Sequence, residues 1–577
     1  MRHSHCLSGQ GGAGGAGGNL SGIKTFGHDG DLILKTGDGG EAKSGLGAGG
    51  AGGSIINFKH ELDLDEDVEL LEKSYSVTIT TGDGGNSVGG VGGAGGSLQG
   101  VSLKLDGPAS TKNDSKPGAV DSGKDSTIRI SVNTGIGGDG ATGGSGGMIR
   151  DFSHTSVFEE KNDKGVVFPN YVVAQLTAGA GGKGTAGTGG AGGSLIFSRP
   201  ISGITIIDPD VTKVANPNYN PADPNFVIPF IATAGAGGEG SVVGGAGGAI
   251  TGLRLQNSLF IDGAPLTNTQ LTGAILTAGA GGEGLSSDGG AGGAISGALI
   301  GTQGAYLFVT AGDGGEGAGK GGVGGAVASS TFGLVNTAFN LGLMVKGGTG
   351  GKGALGGGLG GSLTNLQVST PQSTLGISAI LRAGNGGEST SATVAGGKGG
   401  DISTLNQLKD VNSSINLIQA GNGGVNNAGG TGGAGGNILG IKTVGFIGRP
   451  SDGTNRLGVF DNIGAIEIPQ GLFAGRGGDG NVDGANGSVT NVVARQIAAI
   501  AAAADAAGLF APALKISAVK ASVIGFEQTA IGTLGTFDST VPGTPNPGLS
   551  KPIDGFIFGK EITGVTTMPP ASFVFTS

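Results

Sequence analysis

Short runs of alternating apolar residues recur along the chain, and each run ends at a cluster of glycines. Three residues before the first glycine of each cluster stand Leu34, Ile79, Val132, Leu176, Ala232, Leu276, Val309, Val345, Leu381, Ile418 and Leu472. Every one is apolar. Two residues further back the choice repeats in Leu32, Val77, Ile130, Phe230, Leu307 and Leu343. Such a period of two predicts a strand with one buried face. In later runs the position between is apolar too (Ile231, Ile275, Phe308, Met344, Ile380, Leu417), as in strands covered on both faces.

The glycine clusters are themselves regular. A Gly-x-Gly-Gly element begins at Gly37, Gly82, Gly135, Gly179, Gly235, Gly279, Gly312, Gly348, Gly384, Gly421 and Gly475. The chain therefore holds eleven units at intervals of 33 to 56 residues, and a fixed period of this size marks a repeat architecture. The longer intervals carry insertions, such as the acidic run 60–73 and the proline-rich run 208–229. Within 233–250 the glycines pair three apart: Gly235 with Gly238, Gly244 with Gly247, Gly245 with Gly248. Three residues per turn fits neither helix nor strand but matches the extended left-handed helix of polyproline or polyglycine II. Two of its three faces are bare here, so neighbouring backbones can approach closely. Ordering so much glycine costs conformational entropy, and it requires nearly every buried amide to find a partner. The glycines expected to carry this structure include Gly235, Gly238, Gly244, Gly245, Gly247, Gly248, Gly289, Gly290, Gly292 and Gly293.

A returning Gly-Gly-x-Gly-Gly follows each variable loop, then a small or polar residue and an aliphatic one: Leu98, Ile250, Leu363 and Ile438. Another apolar residue stands three further on, at Val101, Leu253, Leu366 and Ile441. Each unit thus reads as strand, outgoing glycine arm, variable loop, returning arm and second apolar segment. The expected fold is an all-β repeat protein, a β-solenoid-like stack of short strands with polyglycine-II arms, plus a small C-terminal α+β cap. Residues 1–28 read as an incomplete N-terminal half-repeat, 29–495 as the eleven repeats, and 496–577 as the cap or docking domain. Within the last segment and just before it, 489–507 reads as an alanine-rich packed helix. Strand-like stretches follow at 514–521, 523–527 and 556–562.

Composition narrows the picture. Glycine accounts for 133 of 577 residues, roughly three times the usual share. Hydrophobic residues still make up 36%, which separates the chain from a flexible Gly/Ser linker. The net charge is −10 and no Lys/Arg run occurs, which speaks against nucleic acid as a partner. No signal-peptide apolar stretch follows Met1. Asp505 and Pro512 interrupt the apolar stretch 496–514, so no transmembrane segment is expected.

Candidate chemistry is sparse. The histidines are His3, His5, His28, His60 and His154, and the single cysteine is Cys6. The His3, His5 and Cys6 tract looks metal-like, but three ligands near a terminus make a poor site. The acidic run 60–73 reads as a solvated loop or short exposed helix in preference to a calcium site. A calcium-roll reading needs an acid in one register of every unit, and only Asp38, Asp83, Asp139, Asp313 and Asp479 are scattered there. Glu239, Glu283, Glu316 and Glu388 share one register and read as a solvated edge. Thr80, Thr177, Thr233, Thr277 and Thr310 share another, which raises ice binding as a distant third possibility. No catalytic, cofactor-binding or metal-binding set is assigned, and the chain reads as a non-enzyme without a cofactor.

In Gly-Gly-Ala-Gly-Gly, as at 49–53, 189–193 and 289–293, the chain resembles proteins whose glycine-rich segments form polyglycine-II bundles. These include springtail antifreeze proteins, phage tail-tip adhesins and glycine-rich mycobacterial surface proteins. Large bacterial surface proteins with tandem Ala-Gly-x-Gly-Gly units are similar as well. The resemblance implies an extracellular or cell-surface location and a non-enzymatic role. The resulting expectation is a structural protein that associates with copies of itself as a filament, sheath or coat subunit. The alternative is a surface adhesin that binds cell-surface or glycan ligands with its variable loops, such as those around Ser286 and Ser389.

Overall fold

The computed structural model describes residues 12–27, 31–63, 75–108, 127–159, 171–202, 205–206, 230–256, 260–261, 264–265, 273–302, 306–334, 341–369, 377–408, 414–443, 445–448, 471–502 and 515–526. Every regular element among them is a β-strand. The chain divides into two compact units, Met1–Gly282 with Ala298–Leu307, and Glu283–Gly297 with Phe308–Ser577. Both are β-solenoid stacks, built alike.

One turn of the first unit shows the plan. The leading strand Phe230–Thr233 enters the outgoing arm, a tip follows at 240–243, and the returning arm leads into the short strand Ile250–Thr251. The chain then bends at Gly252 and runs on as the trailing strand Arg254–Gln256. Each of the three strands pairs in parallel with its equivalents one turn away. Ala232 lies between Leu176 and Leu276, Ile250 beside Leu195, and Leu255 between Ile201 and Ile300. Parallel in-register stacking puts like on like, which is why each apolar register recurs in sequence.

The inward side chains make the core. The register three before the anchor glycine is buried at Ile79, Val132, Leu176, Ala232 and Leu276, and so is the aliphatic after the returning arm at Ile55, Leu98, Ile149, Leu195 and Ile250. Size is traded along a strand. Phe230 accompanies Ala232, while Ala274 accompanies Leu276, all four buried, so each turn fills a similar volume with different residues. At the bend between short and trailing strands the backbone turns left-handed once per turn. Gly22, Asn57, Gly100, Asp151 and Gly252 occupy that corner, with φ between 53° and 68°. Glycine, asparagine and aspartate tolerate this conformation best.

In the second unit the leading strands Leu341–Lys346, Ile377–Arg382, Ser414–Gln419 and Gly471–Ala474 stack in parallel. Short and trailing strands there merge into Leu363–Ser369, Ile402–Leu408, Ile438–Lys442 and Ser488–Ala502. The left-handed corner persists within them, at Asn365, Thr404, Gly440 and Asn491.

Over 489–502 the expected helix is not formed, and 503–507 lie outside the described residues. Residues 488–502 are a 15-residue strand, paired to Ile438–Lys442 on one side and to the strand Lys515–Phe526 on the other. Alanine favours helix intrinsically, but that preference is weak against tertiary pairing. Here Val489, Val492, Ala494 and Ile497 are buried as the next layer of the core. The strand continues through residue 496, and the described parts of 496–577 are strand, without the expected α component. The acidic run also begins as structure. Lys59–Asp63 is a strand with His60 and Leu62 buried, while 64–73 lie outside the described residues. So do His3, His5, Cys6, His28, the run 208–229 and the expected strand 556–562.

Candidate functional site

The glycine arms carry the unusual chemistry, and their hydrogen bonds repeat every three residues. In the turn beginning at Gly82, the amides of Gly82 and Gly85 donate to the carbonyls of Gly53 and Gly50 in the preceding returning arm (3.1 and 2.8 Å). The amides of Gly93 and Gly96 donate back to Gly85 and Gly82, both at 2.7 Å. The remaining glycine of each triplet donates along its own row. Gly84 bonds the Ile136 carbonyl of the next outgoing arm, and Gly95 bonds Ser145 of the next returning arm (both 2.8 Å). Two rows of arms, outgoing and returning, are thereby knitted both across and along.

This network leaves no room for side chains. A Cβ at Gly235, Gly238, Gly245 or Gly248 would fall inside 3.0 Å of the carbonyl oxygen of Gly179, Gly182, Gly190 or Gly193, one turn back. At Gly247 it would meet the oxygen of Gly279 one turn on. In the second unit Gly289 and Gly292 face Gly315 and Gly312 in the same way. Gly290 and Gly293 supply the carbonyls that accept from Gly315 and Gly312 (2.8 and 2.9 Å). Gly244 is buried among them.

The third residue of each triplet points outward, and where the preceding turn carries Asp or Asn there its amide is served by that side chain. Asp38 accepts from the Asp83 amide, Asp83 from Ile136, and Asp139 from Lys183 (3.0, 2.8 and 2.7 Å). Asp313 does the same for Thr349 and Asn385 for Asn422 (2.6 and 2.9 Å). The scattered acids are thus amide caps. Asp479 instead pairs with Arg476. Among the described residues no group of three or more His, Cys, Asp or Glu could hold a metal.

Where strand meets arm, the first unit uses two solutions. Buried Thr36, Thr81 and Thr134 each donate to the arm beside them and accept from the next anchor glycine, as Thr36 does between Gly53 (2.6 Å) and Gly82 (2.8 Å). Later turns place buried Ala178, Ala234 and Ala278 there. The anchor glycine then bonds the returning arm without a hydroxyl, as Gly235 does to Gly193 at 2.9 Å. Sequence reasoning did not single out this position.

The tips between the arms are ordered by single parallel bridges, Gly140 to Gly184 to Gly240 in the first unit and Gly317 to Gly353 to Ser389 to Asn426 in the second. They also expose aliphatic side chains: Leu46, Val88 and Val242 in the first unit, Leu285, Leu355 and Val482 in the second. Leu46 is 88% exposed and Val88 71%. Ser389, expected on a displayed loop, is instead buried, with its hydroxyl on the Val394 carbonyl (3.0 Å). Ser286 is exposed. The glutamate register is partly paired, Glu239 with Lys183 (3.3 Å) and Glu388 with Lys352 (3.4 Å). The threonine register stacks as expected in the first unit, Thr177 beside Thr233 beside Thr277, each half-buried.

Two histidines lie inside the first unit. His60 and His154 occupy the same inward register of the trailing strands, with Leu103 between them. Burial lowers the pKa of both, and that of His154 falls to about 4. His154 Nδ1–H donates to the Ser202 carbonyl at 2.8 Å, while its Nε2 has no partner among the described residues.

Together the strand ladders and the knitted arms define a parallel β-solenoid with a glycine bundle along each turn. Set against family models, curated proteins and solved structures, the chain matches none. No helix among the described residues is long and apolar enough to cross a membrane.

Proposed function

We propose that the protein is an extracellular structural subunit that associates with copies of itself, as a sheath, coat or filament component, and is not an enzyme. The observation that carries this reading is the set of exposed aliphatic side chains on the arm tips of each unit. Leu46 and Val88 project from loops whose backbones are held by the bundle. Apolar groups displayed on a rigid, ordered support mark contact surfaces. The extracellular location rests on the resemblance in glycine pattern.

Serine at Leu46, Val88, Leu285 and Leu355 removes the displayed groups and leaves the buried network untouched. The wild-type protein is expected to form regular assemblies under the electron microscope and to sediment with rising mass as concentration rises. The fourfold variant is expected to stay monomeric with its circular dichroism unchanged. A wild type that stays monodisperse at every concentration removes this reading. If that monomer attaches to cells or glycans and the variant does not, the adhesin alternative takes its place.

A further inference from the structure

The last glycine turn differs from the others at two inner positions of its returning arm. That arm reads Asp483-Gly484-Ala485-Asn486-Gly487, where the preceding turn has Gly432-Gly433-Ala434-Gly435-Gly436. At Gly435, and at its equivalents Gly292, Gly324, Gly360 and Gly399, a Cβ would run into the first glycine carbonyl of the next outgoing arm. Bare backbone at this position is therefore the seat on which another arm is laid. At Asn486 a side chain occupies that seat, and Asp483 occupies the matching seat of Gly432, where a Cβ would run into the Gly478 carbonyl. No Gly-Gly pair follows Gly478 in the sequence.

Asn486 also does chemically what the next arm would do. Gly314, Gly350, Gly386 and Gly423 donate their amides to Thr349, Asn385, Asn422 and Arg476 of the following arm, at 2.7 to 2.8 Å. The equivalent amide in the last turn, that of Gly477, donates to Asn486 Oδ1 at 2.9 Å. A side-chain carbonyl thus replaces the missing peptide carbonyl. The same turn carries the Arg476–Asp479 ion pair on its outward row, and charge is a common device for blunting an open edge.

We propose that Asn486 is a stop residue, acting beside Asp483, whose side chain takes the Gly480 amide in the same way. It closes the glycine bundle by filling the next arm's seat and satisfying its donor, so that the glycine arm of a second copy cannot add there. Assembly through the bundle end is blocked, and contacts between copies are left to other surfaces.

The test compares Asn486→Gly and Asn486→Ala with the parent, all carrying Asp483→Gly to clear the neighbouring seat and the tip serines so that tip contacts do not contribute. Asn486→Gly empties the seat and is expected to at least double the sedimenting mass as concentration rises a hundredfold. Asn486→Ala keeps a Cβ in the seat and is expected to retain the parent's mass. In Asn486→Ala, and in Asn486→Gly at concentrations where it is monomeric, the peptide containing the Gly477 amide should exchange hydrogen roughly tenfold faster, the effect of losing one hydrogen bond. A parent-like mass for Asn486→Gly overturns the proposal. So does equal association of both variants, or Gly477 exchange unchanged in Asn486→Ala.

Discussion

The strand side and the arm side of a single turn keep water out by opposite means. On the strand side the inward register tolerates Ala232, Leu276, Val132 or Leu176, because a neighbouring position gives or takes volume. On the arm side nothing can be traded. The space beyond most inner glycines of the arms is already filled by a carbonyl oxygen of a neighbouring arm. The core is thus forgiving in detail while the bundle accepts a single residue type, although both are stacked on one register.

Gly247→Val tests the arm side at its strictest. The obstacle is the backbone oxygen of Gly279, so the cost is expected beyond about 3 kcal/mol, past ordinary overpacking. Thermal or denaturant unfolding reads it directly. A loss under about 1 kcal/mol would mean that the arms behave as loops and that the strands alone hold the fold.

Acid probes the strand side of the first unit. His154 has a folded pKa of about 4 against an ordinary 6.5, so the unfolded chain binds more protons between these values. Its contribution to stability is complete above about pH 6.5 and is lost as pH falls through 4. On acidification the wild type should therefore lose stability relative to His154→Leu. Parallel curves from pH 7 to 4 would show that the imidazole is solvated.

Smaller effects sharpen the contrast. Leu276→Val trims a forgiving register and should cost about 1 kcal/mol. Thr81→Ala should also cost about 1 kcal/mol, one hydroxyl bridging two buried backbone groups. A neutral result there would indicate that an arm root built on threonine is no firmer than one built on alanine. Smallest of all is Glu239→Ala. Its pairing with Lys183 is solvent-exposed, so the change should stay within about 0.5 kcal/mol.

How much of this was legible beforehand depends on what each feature leaves in the chain. The stacked strands were readable because parallel register repeats one choice at every turn, as at Ile79, Val132 and Leu176. The arms were readable because only glycine fits their inner faces. The strand 488–502 was misread because alanine-rich composition favours helix, whereas its conformation comes from pairing with 438–442, which no local pattern announces. Asp38 and Asp83 were visible as acids, but their role needs the amide of another turn, 45 and 53 residues away.

The side-chain caps between turns share a direction. Asp38 receives the amide of Asp83, Asp83 that of Ile136, Asn437 that of Ser488, and in each case the acceptor comes earlier in the chain than the donor. A polypeptide that emerges from the ribosome N-terminus first has therefore built each acceptor before the amide that will use it. Every completed turn thus presents ready side-chain acceptors to the one being synthesised, while its own row amides, such as that of Gly84, wait for the next arm's carbonyls. Deleting turns from the C-terminal side should leave the earlier turns of the first unit folded, which limited proteolysis of nested truncations would reveal.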